Sequence, residues 1–205
     1  MSTRETQKLI IDTSIALFND SNSKAVSTNR IADACRLSRG NLHYHFRTKE
    51  EIIQTIFQRI DDEMNEDWYE DHKHPTMAYM QFMFERQIRL IWKYRFFFRE
   101  LNSLLQNDAR LKVLFLNNRQ RRIVEVNLFF QRLIEEGLLL EPEPPVSLNA
   151  LLKIAWLITD QWLANLDMED RDVNEQSIAE GHTLVMQLFE PYFSDQAHRQ
   201  LTEIS

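Results

Sequence analysis

The sequence contains one cysteine, three glycines and no long apolar run, and each scarcity excludes a class of protein. The single cysteine, Cys35, cannot form a disulfide within the chain, and we interpret it as a small core residue rather than a redox sensor. Three dispersed glycines cannot build a glycine-rich phosphate-binding loop. Because no stretch of about 18 apolar residues exists and the first residues lack a signal peptide's apolar core, we expect a cytoplasmic protein without a membrane span.

Residues suited to chemistry are not arranged as they are in an enzyme. No Cys/His spacing typical of a metal site is present, and no nucleophile is paired with a credible base. Asp67, Asp71, His72 and His74 offer carboxylate and imidazole groups, but a solvated helix end explains them more simply than a metal site. We therefore predict no catalytic residues, no metal and no cofactor.

The charged residues are distributed unevenly, which matters more than the net charge of -7. Residues 1–60 contain nine Lys and Arg against six Asp and Glu, whereas the remaining residues contain fifteen against twenty-five. A basic N-terminal part beside an acidic remainder is typical of a nucleic-acid reader attached to a body that does not bind nucleic acid.

An apolar stripe and a capping serine predict two helices near the N-terminus. Ile11 and Phe18 belong to an apolar stripe at helical spacing within residues 4–19, which predicts a first amphipathic helix. Ser27 can cap a second helix that ends near Cys35. We expect the first helix to pack over the second helix and the one that follows it.

A third helix is predicted after a turn of two residues, which is the spacing of a helix-turn-helix. Ser38 can cap this helix, and Leu42 and Phe46 can anchor its second half against the preceding helices. The first turn, residues 39–41, then carries hydrogen-bonding side chains that are available to a partner. The best partner for such a turn is the major groove of DNA.

The segment from Ser27 to Lys49, which reads STNRIADACRLSRGNLHYHFRTK, resembles the N-terminal domain of TetR/AcrR-type bacterial transcriptional regulators. The resemblance rests on an Ile-Ala pair in a capped helix, a Ser-x-Gly-x-Leu recognition helix, a His-Phe pair and a Lys-Glu that opens the next helix. His43 and Arg36 stand where the family usually has Tyr and Gly. Arg36 therefore falls at a turn that often needs positive φ, at a cost of about 1 kcal/mol.

The resemblance implies an all-α protein with an N-terminal three-helix DNA-binding domain and a larger helical domain that binds an effector and dimerises. We place the helix-turn-helix domain at residues 1–48 and the ligand-binding and dimerisation domain at residues 49–205. The expected partners are double-stranded operator DNA, a second copy of the chain and an unknown small-molecule effector.

The predicted DNA contacts divide into base readers and residues that position the protein on the phosphates. Arg39 can pair with guanine and Asn41 with adenine, each good pair contributing about 1–3 kcal/mol of discrimination. Gly40 permits close approach of the backbone. Phosphate contacts are assigned from the exposed amides at the start of the second helix and from the resemblance. The residues in this group are Thr28, Asn29, His43, Tyr44, His45 and Lys49. Ser38, the predicted cap of the third helix, is also counted among the DNA-binding residues.

Beyond residue 49 the pattern predicts a series of amphipathic helices, including one over residues 94–105, one over 108–136 and a connector at 137–146. The resemblance implies a small-molecule pocket in this region. Aromatic residues at helical spacing are more often plain core, but four are named as candidates for the pocket: Phe82, Trp92, Phe97 and Phe130. We interpret Arg119, Arg121 and Arg122 as a solvated helix face rather than as contacts to an anionic effector.

Two wide apolar faces near the C-terminus predict a homodimer formed by four helices. The predicted interface residues are Leu152, Trp156, Thr159, Leu163, Val185 and Phe189. The DNA-binding domains of the two subunits (the reading heads), related by a twofold axis, would bind a palindromic operator with half-sites about one turn of DNA apart. An effector would then act through its different affinity for two spacings of the heads.

Two readings of the function remain open from the sequence. A ligand-responsive DNA-binding regulator, with repression as the expected effect, explains the helix-turn-helix, the charge distribution and the C-terminal stripes together. A helical interaction or scaffold protein without sequence-specific DNA binding would explain the stripes alone.

Overall fold

The computed structural model describes residues 2–65 and 75–204, and every regular element within them is helical. The N-terminal helices are α1 (Thr3–Asp20), α2 (Thr28–Ala34), α3 (Arg39–His45) and α4 (Lys49–Asn65). They are followed by α5 (Met77–Lys93), α6 (Arg95–Arg99), α7 (Leu101–Asn107), α8 (Ala109–Glu135), α9 (Leu148–Met168), α10 (Glu175–Phe189), a 3₁₀ turn (Glu190–Tyr192) and α11 (Asp195–Ile204). The prediction of an all-α fold is confirmed. None of the helices described is both long enough and apolar enough to cross a membrane.

The chain folds into two compact units, each built from two segments. The N-terminal unit comprises Met1–Glu63 and Tyr94–Leu116, and the C-terminal unit comprises Met64–Lys93 and Asn117–Ser205. The long helix α8 therefore contributes residues to both units. The functional boundary after residue 48 stays a prediction, because these units describe packing rather than function.

The first helix of the N-terminal unit begins at a reciprocal cap. The Ser2 hydroxyl accepts a hydrogen bond from the Glu5 amide at 3.3 Å, and the Glu5 carboxylate accepts one from the Ser2 amide at 2.7 Å. These bonds satisfy two amides that have no partner within the helix. The apolar face of α1, which includes Ile10 and Phe18, is buried, and α1 contacts both α2 and α3. The predicted three-helix arrangement is thus confirmed.

Residues 94–107 form two short helices, and the prediction of one helix over 94–105 is wrong. The break lies at Glu100, whose backbone has φ -99° and ψ 7°. At this residue the Glu100 carboxylate accepts hydrogen bonds from the Ser23 amide and hydroxyl, a tertiary contact that the apolar pattern does not reveal. Phe96 and Phe97, which precede the break, are both buried. Phe96 lies 5.0 Å from the ring of Phe18, whereas Phe97 stacks on Phe57 at 5.4 Å.

The C-terminal unit is built from α5, α9, α10, α11 and the part of α8 after residue 116. Helix α10 contacts α9 and α5, and α11 contacts α5. The core of this unit contains aromatic pairs such as Phe130 and Phe189, whose ring centroids lie 4.6 Å apart. The polar run at 117–122 interrupts the apolar stripe of α8, but the helix continues through it.

The connector between α8 and α9 is held against the chain that follows α10. Gly137 ends α8 with φ 69°, a conformation that favours glycine, and the Leu140 amide then donates to the Tyr192 carbonyl at 2.7 Å. The Ser194 amide donates back to the Leu138 carbonyl at 3.1 Å. The sequence reading did not include α11, which starts immediately after this pair of bonds.

Candidate DNA-binding surface and ligand cavity

Helix α3 has a buried back and an exposed first turn. The Ser38 hydroxyl accepts from the Asn41 amide at 3.1 Å, so the cap starts the helix at the predicted place. Leu42 is buried and fixes the helix against the unit, while Arg39 and Asn41 are exposed on the turn before it. The two predicted base readers are thus available to a partner.

Gly40 leaves open space beside the exposed turn of α3. A Cβ atom added at this residue would meet no heavy atom of the protein within 4 Å. Among the residues that the structure describes, no packing requires glycine here. This geometry agrees with the role predicted for Gly40.

The turn between α2 and α3 confirms the backbone conformation expected at Arg36. Its φ is 56°, and its amide donates to the Asp33 carbonyl at 3.1 Å. The Leu37 amide donates to the Ala32 carbonyl at 2.9 Å and closes the end of α2. This tight turn sets the angle between α2 and the reading helix.

The predicted phosphate contacts lie around the same turn but differ in exposure. Asn29 and His43 are exposed, and Tyr44 has 78% of its surface accessible. Thr28 is half-buried at the first turn of α2. His45 is also half-buried, its ring 5.2 Å from that of Tyr44, and its Nδ1 atom is buried without a hydrogen-bond partner in the described part of the chain.

Lys49 has a structural role in addition to the contact predicted for it. Its amino group donates to the carbonyls of Ser23 at 2.7 Å and Val26 at 3.2 Å. These bonds tie the start of α4 to the loop before α2. The phosphate contact of Lys49 stays a prediction.

The loop that precedes α2 is also tied to residue 100. The Glu100 carboxylate accepts from the Ser23 amide at 2.9 Å and from the Ser23 hydroxyl at 2.6 Å. Nearby, Arg99 donates to the Ser21 carbonyl. The helix-turn-helix is therefore connected by side chains to residues 94–100, which follow α5 directly in the chain.

A network on α4 joins the same residues to α1. Arg59 pairs with Asp12 of α1 and with Glu63, which lies 3.1 Å away. The Tyr94 hydroxyl donates to Glu63 at 2.9 Å, and burial together with this bond raises the pKa of Tyr94 far above its usual value. Tyr94 thus remains a neutral donor at physiological pH.

The C-terminal unit contains a cavity of about 140 Å³. Its described wall combines three methionines, five aromatic residues and several aliphatic side chains from α4, α5, α8, α9 and α10. Four lining residues are polar: Arg86, Gln87, Arg122 and Thr159. An apolar interior with a few polar groups is typical of a small-molecule site.

Of the four aromatic residues predicted to line a pocket, Phe130 lines this cavity. Phe97 belongs to the core of the N-terminal unit, Phe82 is 42% exposed, and Trp92 is half-buried; none of the three belongs to the described lining. The pocket stays a prediction, with a lining that aromatic periodicity alone did not identify.

Arg122 corrects the interpretation of residues 119–122 as a solvated face. Only 9% of its surface is exposed, and it lines the cavity. Arg119 pairs with Asp160 of α9, and its guanidinium lies 5.2 Å from the centre of the Trp156 ring. Burial raises the pKa of Asp160, and the hydrogen bond from Arg119 opposes that shift. Two of the three arginines therefore pack inward.

The six residues predicted at a dimer interface lie largely inside the protomer. Leu152, Leu163, Val185 and Phe189 are buried in the isolated chain, and Trp156 and Thr159 line the cavity. Among the described residues, the large apolar side chains left exposed on these helices are Ile154, Leu157 and Met168 of α9 and Leu184 of α10. A second subunit that packs on α9 and α10 would contact these exposed side chains.

Helices α9 and α10 approach closely at a glycine. A Cβ atom at Gly181 would lie 2.6 Å from the ring of Trp162, whose indole N–H donates to the Ser177 carbonyl at 2.6 Å. His182 follows directly and is buried, with its ring 5.7 Å from that of Phe84. Burial lowers the pKa of His182 to about 4.

No group of three or more possible metal ligands occurs among the residues that the structure describes. Asp67, Asp71, His72 and His74 lie outside the described residues.

Comparison with known proteins assigns both parts of the chain to one family. Residues 10–56 match the family described as bacterial regulatory proteins of the tetR family, and residues 50–201 match the TetR family described as a bacterial transcriptional repressor. A search among curated proteins found no match.

Solved structures share the fold over nearly the whole chain. A TetR-family transcriptional regulator from Marinobacter aquaeolei VT8 is 30% identical, with 98% of this chain and 97% of that chain covered and a TM-score of 0.84. A TetR transcription regulator from Haloarcula marismortui ATCC 43049 is 13% identical, with coverage of 93% and 100% and a TM-score of 0.72. The complex of AibR with isovaleryl coenzyme A and operator DNA is 18% identical, with coverage of 92% and 100% and a TM-score of 0.65.

An exposed reading turn and a helical fold matched from end to end define a DNA-binding transcriptional regulator. The chain belongs to the TetR family.

Proposed function

We propose that this chain is a ligand-responsive repressor that binds a palindromic operator as a homodimer. The observation that carries the proposal is the exposed first turn of α3, where Arg39, Gly40 and Asn41 face outward from a buried anchor. Arg39 and Asn41 read base edges, and Gly40 lets the backbone approach them. The remaining predicted contacts position the turn on the phosphates.

The C-terminal unit supplies the effector site and the dimer contacts in this proposal. Its cavity is the effector site, and AibR, which shares the fold, was solved with both isovaleryl coenzyme A and operator DNA. Exposed Ile154, Leu157 and Leu184 form the contacts between subunits. The description of the matching family as a repressor supports repression rather than activation.

Control by the effector requires that it bind two arrangements of the dimer with different affinity. The dimer with correctly spaced reading heads binds the operator, and the effector favours the other spacing. Because only the spacing changes, we expect release from DNA without dissociation of the subunits.

Selection of duplexes from random DNA tests the proposal. The purified protein at a stated salt concentration should recover a palindrome, and the double variant Arg39→Ala/Asn41→Ala should fail to bind it. Arg110→Ala removes an exposed arginine of α8 in the same unit and should leave binding unchanged. Retention of DNA without sequence preference, equal in the double variant, would favour the interaction or scaffold protein instead.

A further inference from the structure

We propose that the cavity binds a small apolar carboxylate whose anionic group contacts Arg122. The inference deepens the proposed function, and it rests on that function for the claim that an occupied cavity affects DNA binding. The argument concerns the size of the cavity, its wall and the polar groups that face it.

The size of the cavity limits the part of a ligand that it can enclose. Its volume of about 140 Å³ is close to that of an engineered cavity of about 150 Å³ that admits benzene. The enclosed part therefore has on the order of six to ten non-hydrogen atoms. A complete nucleotide cofactor is far larger than this.

The wall determines that the enclosed part is apolar. Met64, Met80 and Met83 line it together with aromatic rings that include Phe84 and Phe129. Methionine side chains are unbranched and polarizable, so they adapt to chains and rings of different shape. An apolar group of variable shape is the ligand part that such a wall accepts best.

The polar groups on the wall determine the sign of the head group. Two of the four are guanidiniums, Arg86 and Arg122, and no carboxylate belongs to the lining within the described residues. The Thr159 hydroxyl donates to the Ala155 carbonyl at 2.9 Å, so its oxygen faces a ligand chiefly as an acceptor. A cationic head group would meet two guanidiniums and no carboxylate of the described lining, whereas a carboxylate could accept charge-assisted hydrogen bonds from them.

Arg122 is the more buried of the two arginines and already holds one carboxylate. Its Nη1 atom lies 3.1 Å from Glu125 Oε2, and Glu125 Oε1 lies 3.8 Å from Arg121 Nε. A guanidinium has five N–H donors in a planar fork and can bind two carboxylates at once. Glu125 therefore keeps Arg122 in place when the cavity is empty, and it competes with a ligand for the same charge.

Calorimetric titration of the protein without DNA tests this assignment with probes that share one apolar body. Hexanoate, hexan-1-ol and hexylamine differ only at the head group, and acetate lacks the apolar body. Hexanoate should bind at least tenfold more tightly than each of the other three. Equal or tighter binding of hexan-1-ol or hexylamine, or no binding of hexanoate, would overturn the proposal.

Variants of α8 test whether Arg122 is the contact. Arg122→Gln should weaken hexanoate at least tenfold and leave hexan-1-ol within about twofold, while the matched Arg121→Gln should change either probe by less than about threefold. Glu125→Gln removes the competing carboxylate and should strengthen hexanoate, a gain that misfolding does not produce. Unchanged hexanoate affinity in Arg122→Gln would overturn the proposal.

Two further measurements are needed. One distinguishes a free acid from an acyl-coenzyme A as the ligand, and the other distinguishes failure of the ligand assignment from failure of the proposed function. Hexanoyl-coenzyme A carries the same chain with a neutral thioester in place of the carboxylate, and tighter binding than hexanoate would overturn the assignment to a free acid. Operator binding is measured on the same preparations. Retained operator binding without a preference for hexanoate refutes only the ligand class, whereas hexanoate binding without any specific DNA binding refutes the proposed function.

Discussion

The predicted role of Gly40 in DNA binding can be tested separately from its effect on folding stability. The structure leaves space for a Cβ atom there, and alanine favours a helix over glycine by up to about 1 kcal/mol. We expect Gly40→Ala to raise the free energy of unfolding slightly and to weaken operator binding roughly tenfold, or about 1.4 kcal/mol, because the methyl group meets the DNA. Urea denaturation and fluorescence anisotropy measure the two effects.

Gly137→Ala is the matched control for this prediction. Gly137 has φ 69°, so alanine is strained there, and the variant should lose about 1 kcal/mol of stability without a change in DNA affinity. If Gly40→Ala bound the operator as tightly as the unchanged protein, close approach at α3 would be refuted.

His182 makes the stability of the C-terminal unit depend on pH. Its pKa is lowered to about 4 by burial, against 6.5 in the unfolded chain, so between these values the unfolded state binds more protons than the folded state. The stability contributed by neutral His182 is complete above pH 6.5 and is lost as the pH falls towards 4, by up to roughly 3 kcal/mol.

His182→Leu removes this titration while keeping a side chain of similar size. Urea denaturation at pH 7 and at pH 4.5 should show a smaller loss of stability on acidification in the variant than in the unchanged protein. Equal losses in both proteins would mean that His182 is not buried as a neutral group.

The junction between α6 and α7 connects the helix-turn-helix to the segment that follows α5. Glu100→Ala removes the acceptor of two hydrogen bonds from Ser23 and leaves the buried Ser23 amide unpaired. We expect a loss of about 1–3 kcal/mol in unfolding free energy and weaker operator binding. Ser23→Ala and the double variant complete a double-mutant cycle, measured as unfolding free energy. Additive effects would show that the two residues do not interact.

The helices were predicted from sequence where apolar residues recur at helical spacing, as in α1, or where a cap precedes the packing residues, as in α3. Prediction failed at Glu100, because an apolar pattern does not show that the Glu100 carboxylate binds the distant Ser23 amide and hydroxyl. It also omitted α11, which follows a pair of backbone bonds to a distant connector. Contacts of this kind depend on tertiary structure and leave no periodic signal in the sequence.

The candidate site was predicted to different extents in the two units. The exposed first turn of α3 was predicted as a DNA contact because Ser38, Gly40 and Leu42 have fixed local roles, and its contact with bases stays a prediction. The cavity lining was not predicted, because Arg122 belongs to a polar run that resembles a solvated face until the packing of α8 is known. Arg86, a charge within the apolar stripe of α5, was the available signal for a polar group facing inward.

At the scale of the whole molecule, the proposal requires two chains. Leu157 of α9 has 54% of its surface exposed, and Leu157→Glu would place a charge in the proposed interface. We expect a monomer in analytical ultracentrifugation and loss of operator binding. Val124 of α8 is 60% exposed, and Val124→Glu is the matched control that should remain dimeric. A dimer in Leu157→Glu that still binds the operator would refute this interface.

The most direct test of the central claim is the specificity ratio, which is the affinity for the selected operator divided by that for a scrambled duplex of the same length and salt. We predict a ratio of at least about 10³ for the unchanged protein. In Arg39→Ala/Asn41→Ala the ratio should fall close to one. For the scrambled duplex, the slope of log affinity against log salt concentration should change by no more than the equivalent of about one phosphate contact. An unchanged ratio in the double variant would contradict the assignment of base reading to the first turn of α3.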